Sequence, residues 1–592
     1  MPYQPIADYG VIGNLHTTAL VSLRGSIDFM CLPRFDSPSV FASILDDKKG
    51  GSFSLVASEE ETNFKQLYLP STNILVTRFL TKEGIAELTD FMPIAKKNND
   101  FAIFRRLKGI HGNHHFRLNI TPSFDYARAG CRAERREDGS GYLLHDPAGK
   151  QPSMLLLTDL DLKVTDEGLS GEIELAAGQD IDFVLTLDDG RYFRNDFLPM
   201  FRETRDFWTE WSGRCTYDGI WRGEVLRSAL ALKLLTSAEF GSTVAAATFG
   251  LPEVIGGERN WDYRYTWIRD SAFTMYAFLR LGYREEAERF IGWIQEQCME
   301  DLQLMYGIDG ETELTEINLD HLEGYEQSRP VRIGNGAYDQ KQMDIYGELI
   351  DTIYLYNQAG GSITNEFWRG ITGLVEHVIN HWKDKDHGIW EVRSGKQRFL
   401  HSAVCCWVAI DRAMKIAEAR SLPHPRSEWR RVRDEMHADI FDNFWNEDLQ
   451  AYPQFLGSDT LDASALLMPL LRFVSSKEPR WLKTFAAIEE KLTADVLVFR
   501  YKNEEGSGDG LEGEEASFTI CSFWYAECLA RIGRIDEATV VMQKLLGYGN
   551  HLGLFSEEIG LHGEQLGNFP QAFSHLSLIS AAFQIEKKVS SG

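Results

Sequence analysis

Up to about residue 215, apolar and polar positions alternate with a period of two in short runs, and turn residues separate the runs. Residues 171–179 and 180–187 are two such runs, the second closed by Asp188-Asp189-Gly190. Alternation bounded by Asp-Gly turns predicts antiparallel strands, and strands over some 200 residues fit a β-sandwich. Beyond residue 215 the apolar period becomes helical, as in Ile345, Tyr346, Leu349, Ile350 and Ile353, which form one stripe. Twelve amphipathic segments are predicted, at about 221–236, 267–281, 284–300, 338–359, 364–384, 399–420, 425–446, 463–474, 478–492, 517–533, 534–550 and 570–589.

The links between these segments alternate in length. Short ones (282–283, 360–363, 421–424, 475–477 and the 533/534 junction) alternate with long ones (237–266, 301–337, 385–398, 447–462, 493–516, 551–569). Antiparallel helices joined this way put every long link at one end, so six hairpins close into an (α/α)6 barrel with six loops over one mouth. Long loops without structure of their own are usually functional. The expected organisation is an N-terminal β-sandwich over 1–215, a helical linker and first helix over 216–240, and an (α/α)6 barrel over 241–592.

The 592 residues exceed what one core usually holds, which agrees with this division. A net charge of −27 opposes phosphate backbones and anionic lipid surfaces, so nucleic acid and membranes are excluded as expected partners in favour of a small neutral substrate. The start, Met1-Pro2-Tyr3-Gln4-Pro5, lacks the basic and apolar regions of a secretory signal, and no apolar run reaches the ~18 residues of a membrane span. The eight cysteines (31, 131, 215, 298, 405, 406, 521, 528) show no C-x-x-C pair or metal spacing, and several sit in apolar helical runs. Free buried thiols in a cytoplasmic protein are expected. Oligomerisation is left open.

Three long loops carry candidate chemistry. The first enters its helix through Asn260-Trp261-Asp262-Tyr263-Arg264-Tyr265-Thr266-Trp267-Ile268-Arg269-Asp270. Arg269 and Asp270 suit sugar hydroxyls as donor and acceptor, or else a helix cap with a surface ion pair. The third contains Gly388-Ile389-Trp390-Glu391, where a carboxyl beside an indole is either a desolvated general acid or a solvated loop residue. The sixth contains Ser556-Glu557-Glu558 ahead of the final helix. Converging loops would bring Glu391 and Glu557, distant in sequence, to one mouth, and two carboxylates flanking a glycosidic oxygen suffice for most glycosidases.

These segments resemble glycoside hydrolase family 15, the family of glucoamylases, bacterial trehalases and related α-glucosidases. The resemblance covers nearly the whole chain. It begins with Ile6-Ala7-Asp8-Tyr9-Gly10, Gly25-Ser26-Ile27-Asp28 and Leu32-Pro33-Arg34-Phe35-Asp36-Ser37-Pro38, similar to the β-domain of prokaryotic members. It continues through Tyr265-Thr266-Trp267-Ile268-Arg269-Asp270 and the Glu391 and Glu557 loops. The resemblance implies Glu391 as general acid, Glu557 as general base, and an inverting, exo-acting hydrolysis that releases β-glucose. Trp267, Arg269, Asp270, Trp390, Arg500 and Phe573 are implied as glucose contacts, with Arg329, Arg332 and Asn335 as further ones. No metal or organic cofactor is implied.

One position departs from the pattern of the fungal glucoamylases: Val392 stands where they have a second Glu that contacts the leaving sugar. That departure counts against starch and is compatible with any small disaccharide. The resemblance to cytoplasmic bacterial members then favours trehalose, ahead of isomaltose or short malto-oligosaccharides. A disaccharide phosphorylase of similar architecture would not need Glu557. A non-catalytic sugar-binding protein would lack the acid or the base, and a helical scaffold would need none of these residues.

Overall fold

The computed structural model describes residues 3–59, 61–94, 100–188, 190–297, 302–502, 510 and 515–590. Two antiparallel sheets of eight strands face each other across the N-terminal region. The first runs in space Tyr9–Gly13, Thr18–Ser22, Ile27–Cys31, Ser52–Ala57, Asn113–Thr121, Gly168–Ala176 and Lys163–Thr165, with Ser39–Phe41 also paired to Ile27–Cys31. The second runs Arg132–Arg135, Tyr142–His145, Met154–Leu157, Asp180–Leu187, Ala102–His111, Ile85–Phe91, Leu75–Leu80 and Asn63–Tyr68. Both strands read from alternation are present, as Gly168–Ala176 and Asp180–Leu187. The alternation works because successive side chains leave opposite faces. Phe116, Leu118 and Ile120 are buried while Arg117 is turned outward.

The strands end at Leu187, and a helix not expected from the sequence, α1 (Phe197–Gly213), follows. Its buried residues Phe197, Thr204, Trp208 and Trp211 lie on one helical face, inside the stretch read as strands. The barrel helices follow as α2 (Arg222–Leu234), α3 (Ile268–Leu281), α4 (Arg284–Gln297), α5 (Asp344–Gln358), α6 (Asn365–His381), α7 (Leu400–Arg420), α8 (Arg426–Asn443), α9 (Leu467–Leu470), α10 (Pro479–Lys491), α11 (Thr519–Ile532), α12 (Ile535–Leu546) and α13 (Ala572–Val589).

Helices α3, α5, α7, α9, α11 and α13 form the inner ring, each packing on the next, and α13 closes back on α3. Burial separates the two rings. On α7 nearly every residue from Leu400 to Ala417 is buried, whereas α8 buries one stripe of Trp429, Val432, Met436 and Ile440. The segment expected as a helix over 463–474 is shorter. A 3-10 turn, Ala463–Leu466, leads into α9, and the chain turns away at Arg472, whose φ is 61°. Seven cysteines are free and buried, and Cys298 lies outside the described residues. Among the described residues no helix is long and apolar enough to cross a membrane.

All six long links lead into the N-termini of inner helices, so those N-termini share one mouth. The sandwich braces that mouth. Arg264, fully buried in the first loop, is held by both oxygens of Asp262, and its NH1 donates to the Ser37 carbonyl at 2.7 Å. Its NH2 also donates to Tyr126 Oη at 3.2 Å. Asn550, in the sixth loop, donates to the Tyr9 carbonyl at 2.8 Å, and Arg34 pairs with Asp309 in the second loop at 2.7 Å. Removing one partner of a buried ion pair leaves a charge without compensation. Arg264→Met is expected to cost about 3–5 kcal/mol of stability, and pairing it with Asp262→Asn to restore part of that. Thermal melting of the two variants checks this, and an unchanged melting temperature for Arg264→Met would count against the brace.

Candidate active site

A cavity of about 750 Å³ opens at the mouth, and Trp261, Tyr263, Trp267, Asp270, Trp390 and Glu391 are among the residues that line it. The first loop ends in a two-residue strand, Thr266–Trp267, paired with Met305–Tyr306 of the second loop. This pairing delivers Trp267 to the wall and starts α3, so Arg269 and Asp270 occupy its first turn. The Trp267 indole donates to Glu391 Oε1 at 2.7 Å, and Arg269 NH2 donates to the same oxygen at 3.1 Å. Glu391 sits in a tight turn, with its amide bonded to the Gly388 carbonyl and φ at 59°. Such a conformation is uncommon for a residue with a Cβ, and strained positions of this kind cluster at functional sites. Gly388 permits the turn, because a Cβ there would come within 2.7 Å of the Phe399 ring.

The second carboxylate arrives from the sixth loop. Strand Glu558–Ile559 pairs with Ser517–Phe518 on one side and Gln565–Leu566 on the other. Adjacent residues therefore point apart. Glu557 Oε1 accepts from the Tyr263 hydroxyl at 2.6 Å and Oε2 from the Asn568 amide at 3.2 Å. Glu558 instead faces Arg500 at 3.3 Å and the Ala516 amide at 3.1 Å. Gly567 is required beside Glu557, since a Cβ at that position would lie 2.5 Å from Glu557 Oε2. The rings of Tyr263 and Trp267, each bonded to one of the two carboxylates, have centroids 5.4 Å apart. Glu391 and Glu557 thus hang from neighbouring rings of one wall.

The two carboxyls differ in environment. The Glu391 side chain keeps 19% of its exposure, while Glu557 is fully buried. Burial, reinforced by the Glu253 carboxylate, pushes Glu557 up to about 8, against the opposing hydrogen bond from Tyr263. Burial likewise pushes Asp270 up to about 7, although the adjacent Arg269 works in the other direction. Arg500 is clamped by Glu253 at 3.0 Å and Glu515 at 2.9 Å as well as by Glu558.

Residues 219–583 match the family model for glycosyl hydrolases family 15, and residues 2–192 match the trehalase-like N-terminal model. The chain belongs to glycosyl hydrolases family 15. It is an O-glycosyl hydrolase acting on a sugar substrate. A trehalase of Mycobacterium tuberculosis is 36% identical over 99% of this chain and 90% of its own. A trehalase of Mycolicibacterium smegmatis is 37% identical, covering 99% and 92%, and one of Thermoplasma volcanium is 36% identical, covering 99% and 94%. A bacterial glucoamylase complexed with acarbose superposes with a TM-score of 0.72 at 13% identity, covering 99% of this chain and 95% of that one. That likeness carries the fold, a β-sandwich followed by an (α/α)6 barrel.

In this family-15 chain, Trp267, Arg269, Asp270, Asn335, Trp390, Glu391, Arg500 and Phe573 all line the one cavity. Glu557 is not among the lining residues: it lies fully buried behind Tyr263, from whose hydroxyl it accepts. Trp390 is fixed by its indole, which donates to both oxygens of Asp462 at 3.0 and 2.9 Å. Arg332 does not line the cavity. It lies over Trp261 at 4.7 Å and bonds the Glu258 carbonyl at 2.6 Å. Arg329, just ahead of Pro330, is exposed and also lies outside the lining. The residues that sequence reasoning left without a role are Tyr263, Glu253, Arg259, Trp261 and Arg393. Tyr263 belongs to the aromatic segment 261–267, but only the fold reveals that its hydroxyl meets a residue of the sixth loop. Arg393 covers Trp261 at 4.4 Å and pairs with Glu316 at 2.9 Å, next to Val392.

Proposed function

We propose that this family-15 enzyme hydrolyses trehalose with inversion, Glu391 serving as general acid and Glu557 as general base. The observation that carries the reading is the pairing of the two carboxylates with neighbouring rings, Trp267 and Tyr263, on one cavity wall. Both donors to Glu391 address Oε1, which leaves Oε2 for the proton passed to the glycosidic oxygen. Glu557 takes a proton from a water that attacks the anomeric carbon from the opposite face, an arrangement that places the carboxyls about 6.5–9.5 Å apart. Arg269, Asp270, Trp390, Arg500, Phe573 and Asn335 surround the glucose being transferred.

The choice of trehalose is supported by the relatives of that name, which align along 99% of the chain. Val392 agrees with it, because it removes a carboxylate from the leaving-sugar side, and Arg393 stands beside it as a donor at the rim. A lost hydrogen bond to a charged group is worth about 1.5–3 kcal/mol, enough to shift preference more than tenfold. In a panel of trehalose, maltose, isomaltose and soluble starch, kcat/KM is expected to be highest on trehalose. Proton NMR in the first minutes of turnover should show β-glucose ahead of α-glucose. A best rate on starch would overturn the substrate, and early α-glucose alone would overturn the assigned roles.

A further inference from the structure

Two neighbouring helices of the inner ring bring four metal-ligating side chains together beneath Arg269. Asp344 and Glu348 stand one turn apart on α5, and His401 and Cys405 stand one turn apart on α7. His401 Nε2 lies 3.0 Å from Glu348 Oε1 and 3.7 Å from Asp344 Oδ2, and Cys405 Sγ lies 3.6 Å from the same nitrogen. A tetrahedral zinc with bonds of about 2.0–2.3 Å keeps its ligand atoms about 3–4 Å from one another. Measured from His401 Nε2, the other three donors lie at about that spacing, and the donor atoms of Glu348, His401 and Cys405 all lie within 4.8 Å of one another.

A second observation points to a ligand. All four side chains are buried, and both oxygens of Asp344 together with Glu348 Oε2 accept no hydrogen bond. Leaving a buried acceptor without a donor is unfavourable, and three such oxygens around one imidazole and one thiol form a donor set that a cation would satisfy. Arg269 does not fill that role, because its NH1 stops 3.8 Å from Asp344 Oδ2 and its NH2 serves Glu391. Glu348 also lines a second cavity of about 850 Å³ inside the ring, next to Phe273, Tyr276, Trp524 and Arg412, which gives an ion a way in.

We propose that Glu348, His401 and Cys405, with Asp344 as fourth ligand, bind one divalent ion of the zinc class. The mix of oxygen, nitrogen and sulfur donors suits that class rather than magnesium or calcium, which take oxygen alone. On binding, the Cys405 thiol gives its proton to solvent, and the thiolate sulfur forms the bond to the metal. The ion would tie α5 to α7 and fix Asp344 behind Arg269, the cation that touches Glu391. Neither pair has a spacing read as a metal motif in the sequence. The site arises only where two helices with i,i+4 pairs face each other. The inference is independent of which sugar the enzyme cleaves.

The test uses the full chain, purified without a chelating tag after growth with zinc. Elemental mass spectrometry is expected to find one zinc per chain, and zinc added to stripped protein should raise its melting temperature. Cobalt added to the stripped protein should produce a near-ultraviolet thiolate-to-cobalt absorption band. Cys405→Ser should lose the band, and His401→Ala should weaken zinc binding at least about tenfold, the lower end for loss of a supporting contact. Cys528→Ser, altering a buried thiol of α11 outside the cluster, should keep both. Substoichiometric zinc with neither band nor melting shift in the wild type overturns the site, and a band that survives Cys405→Ser overturns the ligand set. If the cluster variants do not fold, the three wild-type measurements decide.

Discussion

Glu391→Gln and Glu557→Gln are each expected to fold as the wild type does and to lose about 10²–10⁴-fold in kcat on trehalose, the range for general acid–base catalysis. The amide keeps the size and accepting oxygen of each carboxylate, so the Trp267 and Tyr263 donors retain a partner. What is lost is the capacity to give or take a proton. Glu391→Gln also removes the charge opposite Arg269, so its KM is expected to move along with kcat. The adjacent Glu558→Gln is the control. Its carboxylate serves Arg500 and a backbone amide and faces away from Tyr263, so the expected loss is smaller and falls on KM through a displaced Arg500. Steady-state kinetics with circular dichroism on the three variants separates the roles. A dead Glu558→Gln beside an active Glu557→Gln would put the base one residue further along the chain.

Much of this was legible in the sequence because it depends on period and link length. Alternation in 171–179 and 180–187 marks the strands found at Gly168–Ala176 and Asp180–Leu187, and long links alternating with short ones imply one mouth. The convergence of Glu391, Arg269 and Arg500 on one cavity follows from that topology. Helix α1 is not legible because it lies within the stretch whose earlier runs alternate, and α9 is shorter than its apolar sequence suggests because the segment splits into a 3-10 turn and one short helix. The hydrogen bond from Tyr263 to Glu557, the clamp of Glu253 and Glu515 on Arg500, and the facing pairs of α5 and α7 were not legible. Each is a meeting of side chains far apart in sequence, set by the register of packed loops and helices and by no local pattern. Arg329 shows the converse, for a position in a promising loop does not fix which way its side chain turns.

The burial of Glu557 governs the expected pH dependence. Only the ionised carboxylate accepts a proton from water, and burial together with the Glu253 charge pushes this group up to about 8. As pH falls below that value the ionised fraction shrinks, so kcat/KM on trehalose is expected to drop by about tenfold per pH unit on the acid side. The acid limb should therefore lie near neutral pH or above, far from the ordinary carboxylate range of about 4. Two substitutions should move it in opposite directions. Tyr263→Phe removes a hydroxyl that stabilises the charged form, which raises the group further and shifts the limb to higher pH. Glu253→Gln removes the neighbouring negative charge, which lowers the group and shifts the limb to lower pH, while Arg500 keeps Glu515 and Glu558 as partners. Because kcat/KM follows the free enzyme, the profile measured at low substrate reports this group before sugar displaces solvent from the cavity. A limb that stays near pH 4 in the wild type, unmoved by either substitution, would separate the acid side of the profile from Glu557 and move the base elsewhere on the wall.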